Sequence, residues 1–214
     1  MNRTLAELVD TMDPAWPLVQ HCLAAARNRA EVLPVARDVG ENTILQLQIT
    51  SRSTLGAVAL ETGGLLLNHG WLRFLGAGHD RLAGSLLTWN GYAASPVNPV
   101  PRGYLIVAYD LAGGFFALNG DAFPGRQGDA WYLAPDTLEW EPLELEYTAL
   151  LHWATQANLD EFYHNVRWPG WEAEAESCPP DHGFHFYPPL FSRCDAARRS
   201  RRTISMYELW SLHQ

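Results

Sequence analysis

The chain has 214 residues, 47% of them hydrophobic and nine of them Trp. That is enough apolar surface for a sizeable core without disulfides or metal, and it excludes disordered, collagen-like and coiled-coil classes. Its 24 acidic residues outnumber 15 basic ones for a net charge of −9, which argues against a general nucleic-acid or anionic-membrane binder. Every basic residue is Arg, so Schiff-base, P-loop and amine-nucleophile chemistry are excluded.

In chain order, Thr4 to Asp10 reads as a short helix, and Asp13-Pro14 caps a second helix over 14–29, with Trp16, Val19, Leu23 and Ala26 at helical spacing. From Thr43 the period changes to two, with Leu45, Leu47 and Ile49 on one face, so 43–49 reads as a strand. Strands at 57–61, 65–68 and 71–75 follow as a meander broken by Gly63-Gly64 and Asn68-His69-Gly70. Residues 92–103 hold three prolines in six positions and read as a surface loop. Strands at 104–109, 114–119, 130–134 and 138–141, joined by short glycine turns, should be antiparallel neighbours. Helices are expected at 145–155 and 158–166, then an irregular tail from Ser177 with a last helix at 206–212. Helices, sheet, helices is the order of an α+β fold, a mostly antiparallel sheet flanked by N- and C-terminal helices in one domain spanning 1–214.

No leader-like apolar stretch opens the chain and none reaches membrane-spanning length, so a cytoplasmic protein that contacts no membrane is expected. Three cysteines make no disulfide framework and fit a reducing compartment. The arginines are uneven: residues 1–192 carry 10 Arg against 22 acids, a balance of −12, whereas 193–214 carry 5 against 2, a balance of +3. The Arg198-Arg199-Ser-Arg201-Arg202 run should lie against the protein's own carboxylates or stay solvated, shielding the acidic face until a basic partner displaces it.

Chemistry-bearing groupings each have a bland alternative. Cys178, His182, His185 and Cys194 are zinc-type ligands, but their spacing matches no closed zinc motif and equally suits a proline-rich loop, so no metal or other cofactor is assigned. Glu139 and Glu141 leave one face of a strand, as paired catalytic carboxylates do and as any solvated strand face does. With Asp136, Glu144 and Glu146 they could instead form an acidic surface for a cationic partner. No nucleophile elbow, dinucleotide fingerprint or P-loop occurs. Trp89-Asn90-Gly91, Trp168-Pro-Gly-Trp171 and Tyr187-Pro-Pro-Leu-Phe191 place aromatics in loops, where they pin the loop to the core or await a partner.

The strings Trp89-Asn-Gly91, Gly113-Gly-Phe-Phe-Ala-Leu-Asn-Gly120, Trp131 to Leu143 and Arg167-Trp-Pro-Gly-Trp171 resemble a bacterial family of unknown function over nearly the whole length. More distantly, a strand before a glycine turn, then Gly114 to Asn119, a Trp131-Tyr132 strand and a helix, resembles the SUKH superfamily. That resemblance implies a SUKH-like α+β fold and an immunity protein that binds a toxin. The expected function is a non-enzymatic protein-binding module that masks a basic partner, with Trp89, Asn90, Asp110, Asn119, Asp136, Glu139, Glu141, Trp168 and Trp171 as candidate binding residues and no catalytic residue assigned. The competing class is a small hydrolase using Glu139 and Glu141 or a Cys/His zinc site.

Overall fold

A computed structural model describes residues 2–94, 103–194 and 198–213. The loop expected at 92–103 therefore falls largely outside the described residues. Along the chain come α1 (Leu5–Leu8), α2 (Trp16–Ala24), β1 (Ala30–Leu33), α3 (Arg37–Leu47), α4 (Thr54–Glu61), β2 (Gly64–Leu67), β3 (Leu72–Leu75) and α5 (Leu86–Trp89). Then follow β4 (Tyr104–Asp110), β5 (Phe115–Asn119), β6 (Asp129–Leu133), β7 (Trp140–Glu146), α6 (Tyr147–Gln156), α7 (Leu159–Phe162), α8 (Trp171–Ser177), β8 (His182–Tyr187), β9 (Ser200–Ser205) and α9 (Met206–Leu212). The fold is α+β. Strands β1 to β7 form one antiparallel sheet in sequence order, and β8 and β9 form a separate hairpin.

Successive residues of a strand face opposite ways, and the sheet uses both faces. On β5, Phe115 turns toward Trp210 of α9 (4.7 Å between ring centres) and Phe116 toward Trp153 of α6 (6.1 Å). The hairpin and α9 thus cover one face. Helix α6 covers the other, where Tyr147 also meets Phe74, with α4 and α2 packed against it. The Phe184 amide donates to the Leu111 carbonyl at 2.6 Å, tying β8 to the β4–β5 turn. Burial on both faces explains why Tyr104 to Tyr109 reads as an unbroken apolar run.

Several expected elements differ. Residues 43–49 and 57–61 are not strands: 43–47 form the end of α3, closed by Gln48 in the left-handed region, and 57–61 lie in α4. The apolar period of two is a coincidence of Leu45 facing solvent, whereas Gly40, Thr43 and Ile44 form the buried helical face. A Cβ at Gly40 would overlap the Leu60 carbonyl, so glycine permits α3 and α4 to cross in contact. Helix α4 is apolar all round because it is buried, and Ser53 caps it by accepting from the Gly56 amide at 3.0 Å. Helix α2 starts at Trp16, since the Asp10 carboxylate takes the Met12 and Asp13 amides into a turn. It stops at Ala24, where Arg27 and Asn28 donate to the Thr155 carbonyl instead. The helix expected at 158–166 is only the short α7, and the tail read as irregular holds the β8–β9 hairpin.

Candidate functional site

The candidate face begins at the free edge of the sheet. Among the described residues strand β7 pairs only with β6, and between the Asp129–Glu146 and Trp131–Pro142 pairs it carries extra residues, with Glu144 at φ +56°. This bulge turns Leu143 and Leu145 toward the core and leaves Glu144 and Glu146 exposed. Glu139 lies just ahead of β7 rather than in it, because Leu138 adopts φ +58°; Glu139 and Glu141 are both exposed, and Glu141 accepts from the Thr137 hydroxyl at 3.2 Å. Elsewhere many acids are ion-paired, Glu31 with Arg81, Glu41 and Glu61 with Arg37, Asp160 with Arg167, Glu174 with Arg201 and Glu176 with Arg29, whereas among the described residues Asp38, Asp121, Glu161 and Glu172 are exposed without such a pair. Among the described residues no ion pair engages Asp136, Glu139, Glu141 or Glu144, and Glu146 has Arg126 at 3.4 Å. Residues 136–144 thus gather four carboxylates without an arginine partner in one short stretch.

Where this segment leaves β6, Pro135 forms one lip of an apolar groove of about 150 Å³. Its walls are Phe184 and Phe186 of β8, Leu190, Phe191 and, from α9, Leu209 and Leu212. Phe191 and Leu212 are more than half exposed, as is the neighbouring Tyr187. An acidic strip thus runs into an apolar groove with exposed aromatic rims.

The remaining sequence candidates make contacts within the fold. Trp89 is fully buried and its indole N–H donates to the Ala83 carbonyl at 2.5 Å. Asn90 joins α5 to β4, donating to the Leu86 and Ile106 carbonyls and accepting from the Ile106 amide at 2.7 Å. Asn119 organises the following loop through Phe123 and Arg126. Trp171 is buried beneath the Arg167 guanidinium, 3.7 Å from its ring centre. The half-buried Trp168 donates to Glu174 at 2.9 Å and carries Arg201 over its ring at 4.0 Å. Arg201 of the basic tail lies against the chain's own Glu174, while Arg199 donates to the Pro189, Leu190, Ser192 and Cys194 carbonyls, and among the described residues no arginine of the tail is ion-paired with the acids at 136–146. Cys178 is buried with its thiol toward the His182 carbonyl, and the His182 ring meets Asp181 at 2.7 Å. Among the described residues no three His, Cys, Asp or Glu side chains are grouped to hold a metal ion.

Asp110, fully buried, closes the β4–β5 turn. Its Oδ1 accepts from the Ala112 and Gly114 amides, both at 2.9 Å, and its Oδ2 from the Tyr132 hydroxyl at 2.7 Å. A Cβ at Gly114 would strike both Tyr132 and Asp110, so only glycine fits there. Burial pushes this carboxyl above the ordinary aspartate range, against the pull of those donors. A raised folded-state pKa gives stability that is present at low pH and lost as pH rises through that pKa. We expect Asp110→Asn to gain on the wild type as pH rises above about 4, by up to about 1.4 kcal/mol per pH unit within the titration window. Urea unfolding of both proteins across the acid-to-neutral range checks this; a difference moving the other way would contradict it.

The groove was not legible in the tail, although the alternation of Phe184 and Phe186 beside Gly183 was available as a strand signal.

The chain belongs to the protein family of unknown function DUF2625, whose model matches residues 5–209. It is similar to the putative uncharacterized protein YbfG of Escherichia coli K12, 41% identical over 211 residues, covering 98% of this chain and 95% of that one. An uncharacterized protein of Haemophilus influenzae is 32% identical over 188 residues, covering 88% of this chain and 82% of the relative. No solved structure matches the chain. Among the described residues no helix is long and apolar enough to cross a membrane.

Proposed function

We propose that this protein is a non-enzymatic, cytoplasmic binding module that masks a basic segment of a protein partner. The observation that carries this reading is the run of Asp136, Glu139, Glu141 and Glu144, unmatched by arginine and leading into the groove walled by Phe191 and Leu212. A partner with Arg or Lys beside an apolar anchor would satisfy both parts at once, and complementary charge would speed its association. Pro142, the bulge and the carboxylates all oppose pairing of this edge with another strand, so docking would proceed through side chains. The SUKH resemblance would make the partner a toxin.

The test compares what the wild type and a Glu139→Lys, Glu141→Lys, Glu144→Lys variant retain from the native cytoplasm at low and high salt. All three sites are exposed, so the variant should unfold at an unchanged temperature. Loss of about 10-fold or more in partner affinity at low salt is expected, with the difference shrinking as salt is added. Equal retention by both proteins would defeat the reading.

A further inference from the structure

At the opposite edge of the sheet from β7, strands β1 to β3 and helix α8 border an open cleft of about 500 Å³. Arg73 lines it from an interior strand, paired across β3 with Leu66 on one side and Tyr109 on the other, and it is only 4% exposed. Its Nε donates to the Gly70 carbonyl at 3.0 Å and its Nη1 to the Pro180 carbonyl. The Tyr109 hydroxyl lies beside it. A guanidinium has five N–H donors and a full charge, and among the described residues no carboxylate pairs with this one.

The other charges of the cavity cancel. Arg29 meets Glu176 at 2.5 Å, His69 shares that carboxylate at 2.8 Å, and Arg81 is paired with Glu31. Asp181, next to Pro180, is turned to His182. Cys178 on the wall stays a neutral thiol, since burial lifts it to about 11. The floor is thus a buried, uncompensated cation under a neutral rim, in a protein that is otherwise acidic. Buried charge is costly unless an opposite charge meets it, and the Arg fork suits oxyanions.

We propose that this cleft binds a small organic ligand through one oxyanion group, carboxylate or phosphate, with Arg73 as the anchor and Arg29 and Arg81 at the mouth. The volume suits a metabolite-sized molecule. Glu31 and Glu176 at the rim would repel a second anionic group and accept hydrogen bonds from hydroxyls, so the ligand is a hydroxylated monoacid or monophosphate. This site is independent of the acidic face.

Calorimetric titration of the full chain at constant ionic strength tests it, using gluconate and glucose 6-phosphate as the carboxylate and phosphate probes, with glucose and chloride as controls. Saturable 1:1 binding of at least one anionic probe is expected, with neither control binding. Arg73→Gln should abolish binding, and Arg29→Ala and Arg81→Ala, at half-exposed positions that tolerate truncation, should each weaken it about tenfold. Arg37→Ala, outside the cleft, should leave it unchanged. If neither probe saturates up to tens of millimolar, or if both rim variants bind as the wild type does, the proposal is overturned, whether or not Arg73→Gln folds.

Discussion

Trp89→Ala should destabilise the protein by about 4 kcal/mol and lower its melting temperature by roughly 8–16 °C. The indole is fully buried and stacks on Tyr207 of α9, 4.7 Å between ring centres, with Phe115 at 5.3 Å and Trp210 at 6.0 Å. Removing it takes away a large buried apolar surface and leaves a cavity that two helices and a sheet would have to close. It also strips the Ala83 carbonyl of its donor. Trp89→Phe is a milder cut, because one aromatic ring is kept while the N–H and part of the indole volume go, for about 1–3 kcal/mol. Denaturant unfolding followed by circular dichroism would measure both. A Trp89→Ala protein within about 1 kcal/mol of wild type would mean that α9 is not anchored here.

This result bears on how function is read from loop aromatics. Trp89, Trp168 and Trp171 lie outside regular periodic segments in the sequence, and from sequence alone their exposure is undetermined. The structure shows each to have a partner distant in the chain: Tyr207, Arg201 and Trp71 respectively. What was legible follows from local physics. Glycine turns and continuous apolar runs identified β2 to β6, and the absence of Lys with the crowding of acids at 136–146 marked the strip on β7. What was not legible depends on tertiary contact. Leu45, Leu47 and Ile49 imitate a strand until Gly40 is seen against Leu60. The apolar groove exists only because β8, β9 and α9 fold back over the β4–β5 turn. Arg73 sits where a strand arginine would ordinarily face solvent, and only the packing of α8 and Pro180 encloses it.

Arg167→Ala should cost about 2–4 kcal/mol, and the order of its variants should show which force holds the cluster. The guanidinium, with a side chain 5% exposed, lies 4.8, 4.6 and 3.7 Å from the ring centres of Trp71, Tyr163 and Trp171, and it bonds Asp160 at 2.7 Å and Asn68 at 2.6 Å. Asp160 is 75% exposed, so losing Arg167 returns it to water at little cost. The loss must come from the rings and from Asn68. Arg167→Lys keeps the charge but cannot lie flat on Trp171 while reaching both oxygens, and its ammonium is harder to strip of water, so a loss near that of Ala is expected. Arg167→Met fills the aromatic box without a buried charge and should lose least, about 1 kcal/mol. If Met is instead as damaging as Ala in chemical denaturation, cation–π attraction rather than packing binds α7 and α8 to Trp71.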